Sequence, residues 1–148
     1  MRDVLMGKKI VLVIENDEEI QYLIEQHLAN TIKNIEIHKA FSGEEGVKKY
    51  MNLWNKGKKP DIVIMDLNLY GGENMDFLKK HMEGIGEMDG VKTAERILEI
   101  DKKAYIIGFT AYADLEWGEK LRKAGAKEII GRYVGFGKFA KRIKEILE

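Results

Sequence analysis

The chain has no cysteine, which excludes disulfides, thiol catalysis and cysteine-held zinc. It has no excess charge either: 25 Lys and Arg balance 25 Asp and Glu. No global field therefore draws it to nucleic acid or to anionic lipid. It also lacks a long apolar run. The amino terminus, Met1-Arg2-Asp3-Val4-Leu5-Met6-Gly7-Lys8-Lys9, holds no stretch of signal length, and the apolar segment after it is too short to span a bilayer. The expectation is a cytoplasmic protein with neither nucleic-acid nor membrane partners. His27, His38 and His81 share no metal-ligand spacing. No Gly-x-Gly-x-x-Gly follows the first apolar run, which argues against a dinucleotide site. There is no internal repeat and no low-complexity stretch.

What is present is an α/β pattern. The 148 residues, 45% hydrophobic and 34% charged, suit one globular domain over 1–148 with a single core. Short apolar runs alternate with helical periodicity. Ile10-Val11-Leu12-Val13-Ile14 is a strand, and Asp17 can cap a helix with Ile20, Leu23, Ile24 and Leu28 on its buried stripe. Ile35-Glu36-Ile37-His38 is a short alternating strand. Ser42 and Glu45 form a capping box for a helix carrying Val47, Tyr50, Met51 and Trp54. Gly57-Lys58-Lys59-Pro60 stops it before the strand Asp61-Ile62-Val63-Ile64-Met65-Asp66. A third helix presents Val91, Ala94, Ile97 and Leu98, and Tyr105 to Phe109 is the fourth strand, ending at Thr110. The fourth helix covers roughly 113–123 and stops at Gly125. Glu128-Ile129-Ile130 is the fifth strand, and a last helix buries Phe136, Phe139, Ala140, Ile143, Ile146 and Leu147. Five βα units in a row imply a parallel sheet with helices on both faces. The stretch of about 71–88 breaks the rhythm, because a βα loop needs only a few residues. Met75, Leu78, Met82 and Ile85 predict a short amphipathic helix there, beside the Asp66 strand end.

Ligands bind at the carboxyl ends of strands in an open parallel sheet. Two buried strands deliver acids there, Glu15-Asn16-Asp17 and Asp66, and together build one acidic pocket. Asp17 is explained by capping alone. Asp66 with Glu15 is not, since two close carboxylates repel without a cation. Thr110 is either a ligand to that pocket or a strand terminator and cap. Arg132, just past the fifth strand, can be a structural partner that buries an ion pair with Asp66.

The pattern resembles the receiver domain of two-component response regulators. The carriers are Val13-Ile14-Glu15-Asn16-Asp17-Glu18-Glu19-Ile20, Pro60 through Leu69, Met88-Asp89-Gly90, Phe109-Thr110-Ala111 and Ala124-Gly125-Ala126. The resemblance implies a flavodoxin-like (βα)5 doubly wound sheet of strand order 2-1-3-4-5, with the short helix inserted between strand 3 and helix 3. It implies that Asp66 accepts a phosphoryl group from a sensor histidine kinase or phosphotransfer protein, with Mg2+ held by Glu15, Asn16, Asp66 and the carbonyl of Asn68. Thr110 and Arg132 would contact the phosphoryl group. It also implies a stand-alone receiver, monomer or weak dimer, that turns over no substrate beyond its own dephosphorylation. Its protein target would dock on helix 4, strand 5 and helix 5, with Trp117 and Tyr133 as anchors. Five positions depart from the family: Asn16 replaces its second acid, Arg132 its lysine, Tyr133 and Tyr70 its two prolines, and Ile129 its switch aromatic. Arginine binds phosphate bidentately but differs in reach from lysine. These departures carry the alternative reading, a pseudo-receiver that binds partners without phosphorylation. A phosphatase is disfavoured because the position two after Asp66 is Asn68, not aspartate.

Overall fold

The computed structural model describes residues 7–66, 89–111 and 116–148, with the side chains of 116 and 117 outside that description. The described elements run β1 (Lys9–Ile14), α1 (Glu18–Thr31), β2 (Ile35–Ala40), α2 (Gly43–Asn55), β3 (Ile62–Met65), α3 (Gly90–Ile100), β4 (Ile106–Thr110), α4 (Glu116–Lys123), β5 (Glu128–Gly131) and α5 (Phe136–Leu147). A 3-10 turn, Arg132–Val134, joins β5 to α5. The helix expected within 71–88, Asn68, Tyr70 and the Trp117 side chain lie outside the described residues.

All five strands are parallel, in the order β2-β1-β3-β4-β5. This is the expected flavodoxin-like order. β1, β3 and β4 are covered on both faces, which is why their sequences are nearly unbroken apolar runs rather than alternating ones. Successive residues feed two cores. Leu12, Ile14, Val63 and Met65 pack with Tyr50, Ala94, Ile97 and Leu121 from α2, α3 and α4. Val11, Val13, Ile62 and Ile64 pack with Ile24 and Leu28 of α1 and Phe139, Ala140 and Ile143 of α5.

The helix starts behave as their sequences dictate. Asp17 Oδ1 accepts from Glu19 N and Ile20 N at 2.8 and 3.1 Å, satisfying donors that the first turn leaves open. Ser42 Oγ accepts from Glu45 N at 3.1 Å, but the Glu45 carboxylate reaches past Ser42 to Phe41 N at 2.6 Å. Asp89, almost fully buried, caps α3 through Lys92 N at 2.9 Å.

Two helix faces differ from expectation. In α1 the buried line is Gln21, Ile24 and Leu28, while Leu23 is 37% exposed. In α2 it is Gly43, Gly46, Tyr50 and Leu53, with Met51 and Trp54 turned outward. The cause in α2 is steric. A Cβ at Gly46 would stand 2.5 Å from Ile14 Cδ1, so only glycine lets α2 approach β1 this closely. Tyr50 completes that face by donating its hydroxyl to Asp101 at 2.7 Å. β2 extends through Ala40 and β5 through Gly131, beyond the segments expected for each.

Candidate functional site

The carboxyl ends of β1, β3, β4 and β5 deliver Glu15, Asp66, Thr110 and Arg132. Parallel pairing sets their level: Ile14 is in register with Met65 and Thr110 with Gly131, so each following residue leaves the sheet at the same edge. Backbone bonds fix the two acids further. Glu15 N donates to Ala40 O at 3.0 Å and Asp66 N to Ile14 O at 3.2 Å.

Arg132 ties this edge together. Its Nη2 lies 2.5 Å from Glu15 Oε1 and 3.8 Å from Asp66 Oδ1. Its Nε donates to Phe109 O at 3.3 Å, and the guanidinium sits 5.1 Å from the Phe109 ring centroid. That ring in turn stacks on Phe139 at 3.8 Å. The cation is thus held over an aromatic face and pointed at the acids. Of its two carboxylate neighbours Glu15 is the closer, so the structural alternative of an Arg132–Asp66 ion pair is present, with Glu15 as a second and nearer partner. Thr110 is fully buried.

Among the described residues, Arg132 lies within ion-pair distance of both acids. Glu15 is 2% exposed, and its second oxygen accepts from Asp17 N at 2.9 Å. Burial, and then the Asp66 charge, push its carboxyl up from the ordinary 4.5 to about 7, against the opposing pull of Arg132. Asn16, half-buried, follows at the start of the turn, and Asp17 is exposed with its side chain committed to capping. Among the described residues no three His, Cys, Asp or Glu side chains form a metal cluster.

The comparisons with known proteins agree with this frame. No protein-family model matches the chain. The chemotaxis protein CheY of Treponema pallidum is 29% identical over 141 residues, 93% of this chain and 82% of that protein. CheY of Thermotoga maritima is 28% identical over 125 residues, 84% of this chain and 85% of that protein. A chain of the CheX-CheY-BeF3-Mg2+ complex from Borrelia burgdorferi superposes with a TM-score of 0.73 at 22% identity, covering 96% of this chain and 91% of that one.

In sequence and in fold the chain is similar to CheY-like receiver domains.

The relatives support a response-regulator receiver role in two-component signalling. Receivers are signalling modules, not substrate-turnover enzymes. Among the described residues no helix is long and apolar enough to cross a membrane.

The structure brings Glu15, Asp66 and Arg132 into one cluster, with Thr110 at the neighbouring strand end. Ile129 is partly buried against the core shared by α2, α3 and α4. Tyr133 is 77% exposed. Two supporting residues escaped the sequence reading. Phe109 is the platform of Arg132, and its only sequence signal is its place beside Thr110. Gln21 is buried under the end of β1, and its signal is the spacing to Ile24 and Leu28, which puts it on the inward line of α1.

Proposed function

We propose that this chain is a phosphoryl-accepting receiver in which Asp66 is the acceptor. The observation that carries the reading is the pairing of Asp66 and Glu15 at adjacent strand ends, with Arg132 reaching both from the end of β5. A sensor histidine kinase or phosphotransfer protein presents a phosphohistidine. An Asp66 carboxylate oxygen attacks phosphorus, an O–P bond forms, the N–P bond to histidine breaks, and the imidazole leaves with the electron pair. Little covalent work falls to the protein, so positioning and charge neutralisation dominate. Arg132 then has two tasks. It holds Glu15 in the resting state, and it offers a planar, multi-donor group to the phosphoryl oxygens afterwards. Thr110 supplies a hydroxyl from the adjoining strand end.

The donor set suits Mg2+: hard oxygens from Glu15, Asp66 and the Asn16 amide, with Asn68 supplying a carbonyl. Burial first, and then the Asp66 charge, raise the Glu15 carboxyl, and a bound cation would favour its ionised form. When bound, the ion screens the acids from the incoming phosphate. With Asn16 in place of an acid, Glu15 and Asp66 are the two anionic donors, and affinity is correspondingly low.

The test is direct. Purified protein is incubated with Mg2+ and a small-molecule phosphodonor, and its intact mass is measured. One phosphoryl group is expected on the native chain and none on Asp66→Asn; an unmodified native chain under every donor refutes the assignment.

A second reading has its own support. Arg132 already pairs with Glu15 at 2.5 Å, which would suit a closed, phosphorylation-independent interaction module. It predicts partner binding that Asp66→Asn leaves unchanged. In either case a protein target is expected on α4, β5 and α5, where Tyr133 projects.

A further inference from the structure

Gln21 is 2% exposed, on the inward face of α1. Its amide nitrogen lies 2.9 Å from Val13 O, 2.9 Å from Ala40 O and 3.3 Å from Glu15 O. These carbonyls close the carboxyl ends of β1 and β2. The amide has only one workable orientation, because turning it would set Oε1 against three carbonyl oxygens. That leaves Oε1 buried with no hydrogen-bond partner among the described residues. A buried amide with an orphaned acceptor is poorly suited to mere packing, for which leucine or methionine would serve better. The side chain is there for its donors.

The consequence falls on Glu15. Its N–H donates to Ala40 O, and its C=O accepts from Gln21. Ala40 O also accepts from Gln21, so one amide fixes both the residue and its neighbour on β2. The Glu15 carboxylate is held by Asp17 N and by Arg132 from the other side.

We propose that Gln21 is a positioning residue for the acidic site: it sets where β1 ends and thereby where the Glu15 carboxylate and Asn16 stand. The proposal rests on the receiver reading for its cation readout but not for its structural one. It is tested on the full chain with Gln21→Met, which keeps length and volume and removes the donors; Gln21→Leu is a second donor-free variant. Tyr50→Phe is the control, because it removes a buried hydrogen bond on the opposite face of the sheet.

Two measurements separate the outcomes. Calorimetric titration with MgCl2 should show affinity weakened about 10-fold or more in Gln21→Met, the usual effect of losing an outer-shell partner, and unchanged in Tyr50→Phe. Amide exchange without any cation should be faster at Glu15 and Asp17 in Gln21→Met than in Tyr50→Phe. Native Mg2+ affinity in Gln21→Met, or equal effects in the control, overturns the positioning role. If the native chain takes up no Mg2+, the cation reading fails, and the exchange data still decide Gln21: unchanged protection at Glu15 and Asp17 overturns it.

Discussion

Replacing Glu15 by glutamine should make the cation-free protein more stable at mildly alkaline pH, although it deletes half of a buried ion pair. The sign follows from the direction of the shift. Glu15 is pushed from the ordinary 4.5 to about 7, so the fold prefers its protonated form. Below the ordinary value both folded and unfolded chains are protonated, and the fold pays nothing for the charge. As pH rises toward 7 the unfolded chain releases its proton first, and stability falls; above 7 the full penalty is present. At about 1.4 kcal/mol per pH unit, the gap between 4.5 and about 7 corresponds to about 3 kcal/mol. Glu15→Gln is neutral throughout and retains an oxygen for Arg132. It should therefore gain up to about 3 kcal/mol over the native chain at about pH 8, and almost nothing at about pH 4.5. For a chain of this length that is roughly 6–12 °C in Tm. Glu36, Asp101 and Glu128 have lowered values and lose stability as pH falls, but they are common to both proteins and cancel in the difference. The assay is urea unfolding by circular dichroism across this range in EDTA. A glutamine variant less stable at alkaline pH, or a difference that does not change with pH, refutes the electrostatic account of the site.

Further outcomes follow from packing. Gly46→Ala forces a Cβ to 2.5 Å from Ile14 Cδ1 and should destabilise the fold by about 1–3 kcal/mol. Ile14→Val removes that δ-methyl and should recover part of the loss, read as coupling in a double-mutant cycle. Gly131→Ala also meets a ring, Tyr133, at 2.1 Å, but that ring is 77% exposed and free to swing aside. Its unfolding free energy should stay within about 0.5 kcal/mol of native. Asp66→Asn should lose phosphoryl uptake, and Gln21→Met should lose Mg2+ affinity, each by the measurement given with it above.

The strands were legible because burial on both faces leaves nearly uninterrupted apolar sequence, as in Val11 to Ile14 and Ile62 to Met65. The helix faces were legible only where side-chain hydropathy and geometry agree. Leu23 looks buried and is exposed; Gln21 looks exposed and is buried, since what it offers the interior is a pair of donors. Gly46 has no hydropathy to betray it, yet it sets the approach of α2 to β1. At the site, position at strand ends singled out Glu15, Asp66 and Thr110, and resemblance added Arg132. The distances among them were not readable. That Arg132 turns toward Glu15 before Asp66 depends on the Phe109 ring and carbonyl that steer it, a contact between β4 and the turn after β5.

The pair Arg132–Glu15 joins residues 117 positions apart. Its acids come from the first and third strands and its cation from beyond the fifth, so no partial chain holds the set. Pairs so distant in sequence carry a high loop-closure cost and form late. The cluster is therefore finished only when the sheet is finished, and anything that recognises the assembled edge would, by the same geometry, ignore every incompletely folded copy.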